Sequence, residues 1–232
     1  MKDLSKKAFL TRAVHAGERV PLGKHTPVTT PIHPSVSYFY ESMKNLDAAF
    51  EGGREDYVYL RYGSPTVAAF EAAVAELEQG EACQAFSSGM AAIHAALLAA
   101  GMRSGTTVVT TLDLYGATTT LLQRLFTEMG VTVHLVDLTN PEALEALLAK
   151  THPAVLLIET ISNPLMKVAD IPSLATLAHQ HGTKVLVDNT FASPYLFNPL
   201  VHHADYVIHS ITKYIGGHGD VMGGVVISSA DN

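Results

Sequence analysis

Lys213 stands in the run His209-Ser210-Ile211-Thr212-Lys213-Tyr214-Ile215-Gly216-Gly217-His218-Gly219-Asp220, directly after the apolar Tyr206-Val207-Ile208. Its neighbours are hydroxyls and glycines, and no other lysine or arginine lies within ten residues on either side. A lysine at a strand end in uncharged surroundings is a candidate for covalent catalysis, because desolvation disfavours the ammonium and frees the amine as a nucleophile. On these residues alone the plainer reading, a loop lysine that happens to follow a strand, stands ahead. Polar groups recur in comparable places: Ser87-Ser88-Gly89, Asp113-Leu114-Tyr115-Gly116, Glu159-Thr160-Ile161-Ser162-Asn163-Pro164 and Asp188-Asn189-Thr190. Each has its ordinary alternative. Ser-Gly before a helix is commonly only a cap, and a lone tyrosine is commonly core.

The elements that must position these residues follow from the pattern of the chain. Residues 1–60 read as an irregular, extended arm, with Pro21, Pro27, Pro31 and Pro34 breaking any long element. A helix follows, capped by Ser64, with Pro65 in its first turn and Gly80 after its end; Val67, Phe70, Val74 and Leu77 form its buried stripe. Short apolar runs at 82–86, 106–111, 131–136, 154–158, 184–187, 206–208 and 224–227 then read as strands. Helices are expected between them at 90–100, 116–129, 141–150 and 171–181, the first apolar nearly all round and therefore buried. Continuous apolar strands alternating with helices indicate an α/β fold, a mainly parallel sheet covered on both faces. Ligands of such sheets bind beyond the carboxyl ends of the strands, where every polar cluster named above falls. The expected division is an arm at 1–60 and a single α/β domain at 61–232.

Composition narrows the partners. The 232 residues are 47% hydrophobic and 16% charged, which suits a large buried core. A formal charge of -7 with histidine neutral argues against nucleic acid or an anionic membrane surface. Cys83 is the single cysteine, so no intrachain disulfide or cysteine-based zinc site is expected, and a reducing cytoplasm fits. The apolar run after Met1–Lys7 is short for a signal peptide, and no stretch approaches the ~18 apolar residues of a membrane span. The twelve histidines raise the alternative of a histidine-based metal enzyme, but their spacing fits no zinc motif, and scattered polar roles are the better account.

One sheet edge would thus present a helix N-terminus, an aromatic ring, an amide, a carboxylate, hydroxyls and a lysine. An aldehyde cofactor with a phosphate and a basic aromatic ring nitrogen uses all of them, which describes pyridoxal 5'-phosphate (PLP). The chain also resembles the PLP-dependent enzymes of Cys/Met metabolism: cystathionine γ-synthase, cystathionine γ- and β-lyases, methionine γ-lyase and the O-acylhomoserine sulfhydrylases. The resemblance starts at Thr11-Arg12-Ala13-Val14-His15-Ala16-Gly17 and is most specific at Asp205–Gly219. Tyr59-Leu60-Arg61-Tyr62-Gly63-Ser64-Pro65-Thr66, Ser87–Ala92, Glu159–Pro164 and Val187–Thr190 match in the same order.

The resemblance implies a fold type I PLP-dependent transferase with Lys213 as the lysine that carries the cofactor and later moves protons. It implies that Asp188 pairs with the ring nitrogen and Tyr115 stacks on the ring and serves as acid or base. Asn163 would bind the ring hydroxyl and Thr190 lie beside the ring. Gly89, Met90, Ser210 and Thr212 would hold the phosphate, with Ser88 also among the cofactor-binding residues. Tyr59 and Arg61 would reach the phosphate of a neighbouring subunit, in a homodimer or homotetramer. The implied activity is transsulfuration of sulfur amino acids or O-acylhomoserine, with γ-replacement ahead of the lyase and sulfhydrylase readings. The turn Gly116-Ala117-Thr118 lacks the cysteine typical of methionine γ-lyases there. Ser64 replaces the usual asparagine and Ile161 the usual proline, the latter in the loop that carries Asn163. Family members continue into a smaller C-terminal domain, so a truncated form is expected, and with it the remaining alternative of a binding protein without turnover.

Overall fold

The computed structural model describes residues 4, 6–16, 27–51 and 56–232; Gly17 and Pro21, which entered the reading above, lie outside the described residues. The chain divides into two compact units, Met1–Glu76 and Leu77–Asn232. The division falls inside a helix, beyond the boundary expected at residue 60, because proline content marks where regular structure is sparse and not where packing changes.

In the first unit, the segment expected to be irregular holds two helices, α1 (Phe9–His15) and α2 (Met43–Glu51). Neither contains proline or glycine, and the prolines at 27, 31 and 34 confine the extended backbone to the stretch between them. Ser37 and Tyr59 form an isolated antiparallel bridge. The long helix α3 (Pro65–Glu78) starts where expected, and Ser64 Oγ accepts from the Thr66 N–H at 3.2 Å. Serine is thus an adequate N-cap here.

The second unit is built on a seven-stranded sheet of β1 (Ala82–Phe86), β2 (Thr107–Thr111), β3 (Thr132–Val136), β4 (Val155–Glu159), β5 (Lys184–Asp188), β6 (Tyr206–Ser210) and β7 (Gly224–Ser228). The strand order is β1-β7-β6-β5-β4-β2-β3. Strands β2 to β6 are parallel, and β7 lies antiparallel between β1 and β6. All five residues of β4 are buried, as expected of a central strand covered on both faces.

The connecting helices are α4 (Gly89–Ala99), α5 (Gly116–Thr120), α6 (Pro141–Thr151), α7 (Ile171–Gln180) and α8 (Ser193–Leu196). Side-chain caps set three of their starts: Ser88 accepts from Ala91 N, Asn140 from Ala143 N and Asp170 from Ser173 N. Each such cap contributes roughly 1 kcal/mol. The helix expected at 116–129 widens after α5 into a π-helical turn at Leu121–Phe126, which carries Leu122 and Phe126 into the core. On one face of the sheet, Ile93 and Leu97 of α4 pack with Val108, Leu157, Leu186 and Ile208. The alternate residues Val109, Leu156, Ile158 and Val187 are equally buried, so the opposite face is covered too. Helix α4 is not buried all round. Leu98 and Ala99 face outward, and alanine-rich composition conceals that one-sidedness because alanine tolerates either environment.

Candidate active site

The strands β1, β2, β4, β5 and β6 end on one edge of the sheet, and the segments that leave them line a single cavity. At one side β1 feeds α4 through Ser88, whose backbone is extended and whose hydroxyl caps the helix. The N–H groups of Gly89 and Met90, in the first turn, have no intrahelical acceptor and carry the positive end of the helix dipole. A Cβ at Gly89 would approach Ser210 Cβ to 2.7 Å and its Oγ to 2.9 Å. Only glycine lets the helix start sit this close to the end of β6. Gly224 has the same role on the other flank, since a Cβ there would collide with the Ser88 carbonyl. The hydroxyls of Ser210 and Thr212 line the same end of the cavity, with Thr212 Oγ1 accepting from Gly223 N at 3.2 Å. Amide donors, hydroxyls and a space kept by glycine make an anion cradle.

Asp188 closes β5. Its Oδ1 accepts from Thr190 N at 3.0 Å and Thr190 Oγ1 at 2.5 Å, while Oδ2 accepts from no group among the described residues. Ser210 N in turn donates to Thr190 Oγ1 at 2.8 Å, so the cradle and the carboxylate are joined through Thr190. Burial pushes the Asp188 carboxyl up; the two Thr190 hydrogen bonds and His209 oppose that shift. A cation at Oδ2 would supply the missing partner. Lys213 enters from the turn after β6, its N–H donating to Ser210 O at 3.2 Å, and its side chain lines the cavity without an ion pair among the described residues.

The third wall holds Tyr115, which precedes α5, and Asn163, in the loop after β4. Both backbone amides donate to one carboxylate: Tyr115 N to Glu159 Oε1 at 2.7 Å and Asn163 N to Glu159 Oε2 at 3.2 Å. Burial, with a contribution from the Asp188 charge, pushes the Glu159 carboxyl up to about 7, against the pull of those two hydrogen bonds. The loop carrying Asn163 is closed by an Ile161–Val168 bridge and by Ser162 N donating to Lys167 O at 2.9 Å. Lys167 Nζ meets Asp113 Oδ2 at 2.6 Å and ties this loop to the one before Tyr115. Isoleucine in place of proline therefore leaves Asn163 in the cavity wall.

Behind the edge lies a buried polar cluster. Glu78 Oε1 meets His209 Nε2 at 2.5 Å and accepts from Asn189 Nδ2 at 2.9 Å, and its Oε2 accepts from Asn198 Nδ2 at 3.1 Å. Thr160 Oγ1 donates to Asn189 Oδ1 at 2.7 Å. The ends of β4, β5 and β6 are thus pinned to the last residues of α3, since breaking one member of such a network strands the others. The sequence reading missed Glu78. Its signal was a carboxylate four residues after Val74, in line with the apolar stripe of α3. His209 belongs to this cluster, His179 pairs with Asp205 at 2.9 Å, and among the described residues no three His, Cys, Asp or Glu side chains converge as a metal site.

Of the residues singled out in the sequence, Ser88, Gly89, Met90, Tyr115 and Asn163 line the cavity together with Asp188, Thr190, Ser210, Thr212 and Lys213. Glu159, quoted in the sequence only as the head of a polar run with no role of its own, lines it as well, as do Phe191 and Met222, which were not singled out. Tyr59 and Arg61 lie in the first unit, where the Arg61 guanidinium sits 4.9 Å from the Tyr59 ring centroid and 5.4 Å from that of Tyr62. The cavity fits PLP on its own terms. The Gly89 cradle suits the phosphate, the open Asp188 oxygen a protonated ring nitrogen, and Lys213 the aldehyde.

The chain is 42% identical over 219 residues to a cystathionine γ-synthase of Mycobacterium leprae, covering 94% of this chain and 54% of that one. It is 39% identical over 230 residues to an L-methionine γ-lyase of Fusobacterium nucleatum subsp. polymorphum, covering 99% and 57%. The crystal structure of metB from Corynebacterium glutamicum superposes with a TM-score of 0.90 at 37% identity, covering 99% and 57%. The chain spans about half the length of these relatives. Its residues 10–232 match the family described as Cys/Met metabolism PLP-dependent enzyme, the likeness extends to the fold, and the chain belongs to that family.

Proposed function

We propose that this chain binds PLP in the cavity at the edge of its sheet and carries out γ-replacement on O-acylhomoserine, in the manner of a cystathionine γ-synthase. The observation that carries the reading is the convergence of Lys213, the open oxygen of Asp188 and the Gly89–Ser210 cradle in one cavity. When bound, the cofactor supplies an electron sink for a carbanion at the α-carbon of the amino acid. Lys213 Nζ is its attachment atom and, once released, the base that moves protons at the α-carbon and its neighbour. Asp188 Oδ2 holds the proton on the ring nitrogen. Gly89 N, Met90 N and the hydroxyls of Ser88, Ser210 and Thr212 orient the phosphate, and Asn163 receives the ring hydroxyl. Tyr115 covers the ring and exchanges a proton with the substrate amine or leaving group. The exposed Arg61 and Tyr59 serve the phosphate of a neighbouring subunit in a homodimer or homotetramer, where the guanidinium fork suits an anion better than a lysine would. A reducing cytoplasm suits a chain with one cysteine.

Elimination is the second reading, favoured by the 39% identity to a methionine γ-lyase. The test is to load the chain with PLP and compare O-acylhomoserine plus cysteine with cystathionine alone. Cystathionine from the first mixture supports replacement. Oxo acid, ammonia and thiol from the second would favour elimination, and cofactor uptake without turnover of either would overturn the catalytic reading.

A further inference from the structure

Glu159 has a place in this cavity that the chemistry above leaves unused. It is the last residue of β4, 6% exposed, and sits beside Asp188 in the strand register. An acid at a strand end in a cavity could face a ligand. Here both oxygens are turned instead to main chain, Oε1 to Tyr115 N and Oε2 to Asn163 N. Those two amides belong to loops that leave different strands, β2 and β4, and whose side chains form one wall of the cavity. Among the described residues the one other side-chain tie between these loops is the Lys167–Asp113 pair, which is half exposed at the lysine and therefore worth little.

We propose that Glu159 is a positioning residue: its carboxylate clamps the Tyr115 and Asn163 backbones together and thereby fixes the ring that stacks and the amide that meets the ring hydroxyl. The inference rests on the cofactor reading and deepens it. A carboxylate accepts at both oxygens, so it satisfies two amide donors at once. A neutral amide of the same shape accepts at one oxygen only and turns a donor toward the second N–H. Burial makes the loss costly, because an amide left without an acceptor there has no water to replace it. The carboxyl is also pushed up to about 7, so the arrangement is held near the edge of protonation. A buried acid that only filled space would be replaced by glutamine without consequence for the two amides.

The test uses Glu159→Gln and Glu159→Asp in the whole chain. The first is isosteric, and the second keeps the charge but is too short to reach both loops. Hydrogen exchange of the Tyr115 and Asn163 amides is read without cofactor. PLP affinity by equilibrium dialysis, and the induced circular dichroism of the visible cofactor band at saturation, are read with it. The expected result is at least one amide exchanging about tenfold faster, PLP binding about tenfold weaker, and a diminished induced signal at full occupancy. A merely structural role would not move the signal of fully loaded protein. Exchange rates and induced signal equal to those of the parent in both variants would overturn the proposal. Should the parent chain take up no PLP, the proposed function fails while the exchange measurement still decides the clamp; should one variant not fold, the other decides it.

Discussion

Asp188 engages one carboxylate oxygen with Thr190 and leaves the other open, while Lys213 reaches the same cavity from the neighbouring strand. Lys213→Ala is therefore expected to abolish PLP that stays on the protein after borohydride reduction and denaturation. The melting temperature should barely move, since the side chain holds no ion pair among the described residues; mass spectrometry and thermal unfolding check both. Glu159 makes a prediction about stability. Its folded carboxyl lies near 7 against an ordinary 4.5, so the folded chain binds more protons between those values than the unfolded one. The stability it contributes is complete below about 4.5 and is lost as the pH rises through about 7. Urea unfolding of the cofactor-free chain at several pH values should show that decline, and Glu159→Gln should flatten it relative to the parent. Asp188 was legible in the sequence as a carboxylate directly after an apolar run, and Lys213 as an isolated lysine among hydroxyls and glycines a few residues beyond another, a signal that became specific only with the family resemblance. Glu78 was not legible, because its partners His209, Asn189 and Asn198 lie far away in sequence; Glu159 was visible only as the head of a polar run, because one of its two partners, the Tyr115 amide, comes from a distant segment.

At the scale of elements, strand positions were readable because β4, β5 and β6 contain continuous apolar runs, and α6 because Asn140 with Pro141 in the first turn announces its start; the end of α7 was marked by Gly182. The π-helical turn after α5 was not readable, since its residues are ordinary helix formers and only the packing of Leu122 and Phe126 selects the wider turn. The short helices α1 and α2 were masked by the prolines around them. The junction of α4 with β6 carries the sharpest prediction at this scale. Gly89→Ala places a methyl 2.7 Å from Ser210 Cβ, so helix and strand must part. The expected cost is ~1–3 kcal/mol in urea unfolding, together with PLP binding weakened at least about tenfold by dialysis. Similar behaviour to the parent in both measurements would mean that the cradle is not formed by this contact.

For the whole molecule, the proposed sharing of phosphate contacts between subunits has a direct test. Arg61→Ala and Lys213→Ala chains are each expected to load PLP poorly. Mixed and reassociated, they should regain a fraction of the loading, because a subunit with intact Lys213 then borrows Arg61 from its neighbour. Failure of mixing to restore any loading would place Arg61 outside the neighbouring site. Within the second unit, β1 has a single lateral partner, β7, which the chain supplies nearly 140 residues later at Gly224–Ser228. A growing polypeptide therefore carries one wall of the anion cradle, Gly89 after β1, long before the other, Ser210 at the end of β6, and the strand that pairs with both β1 and β6. β7 is hydrogen-bonded to both β1 and β6 and so holds the two walls together, and capture of the cofactor is expected to wait until that strand is in place. A nascent chain stalled with Gly223 just emerged should not retain PLP, whereas one stalled after β7 has emerged should.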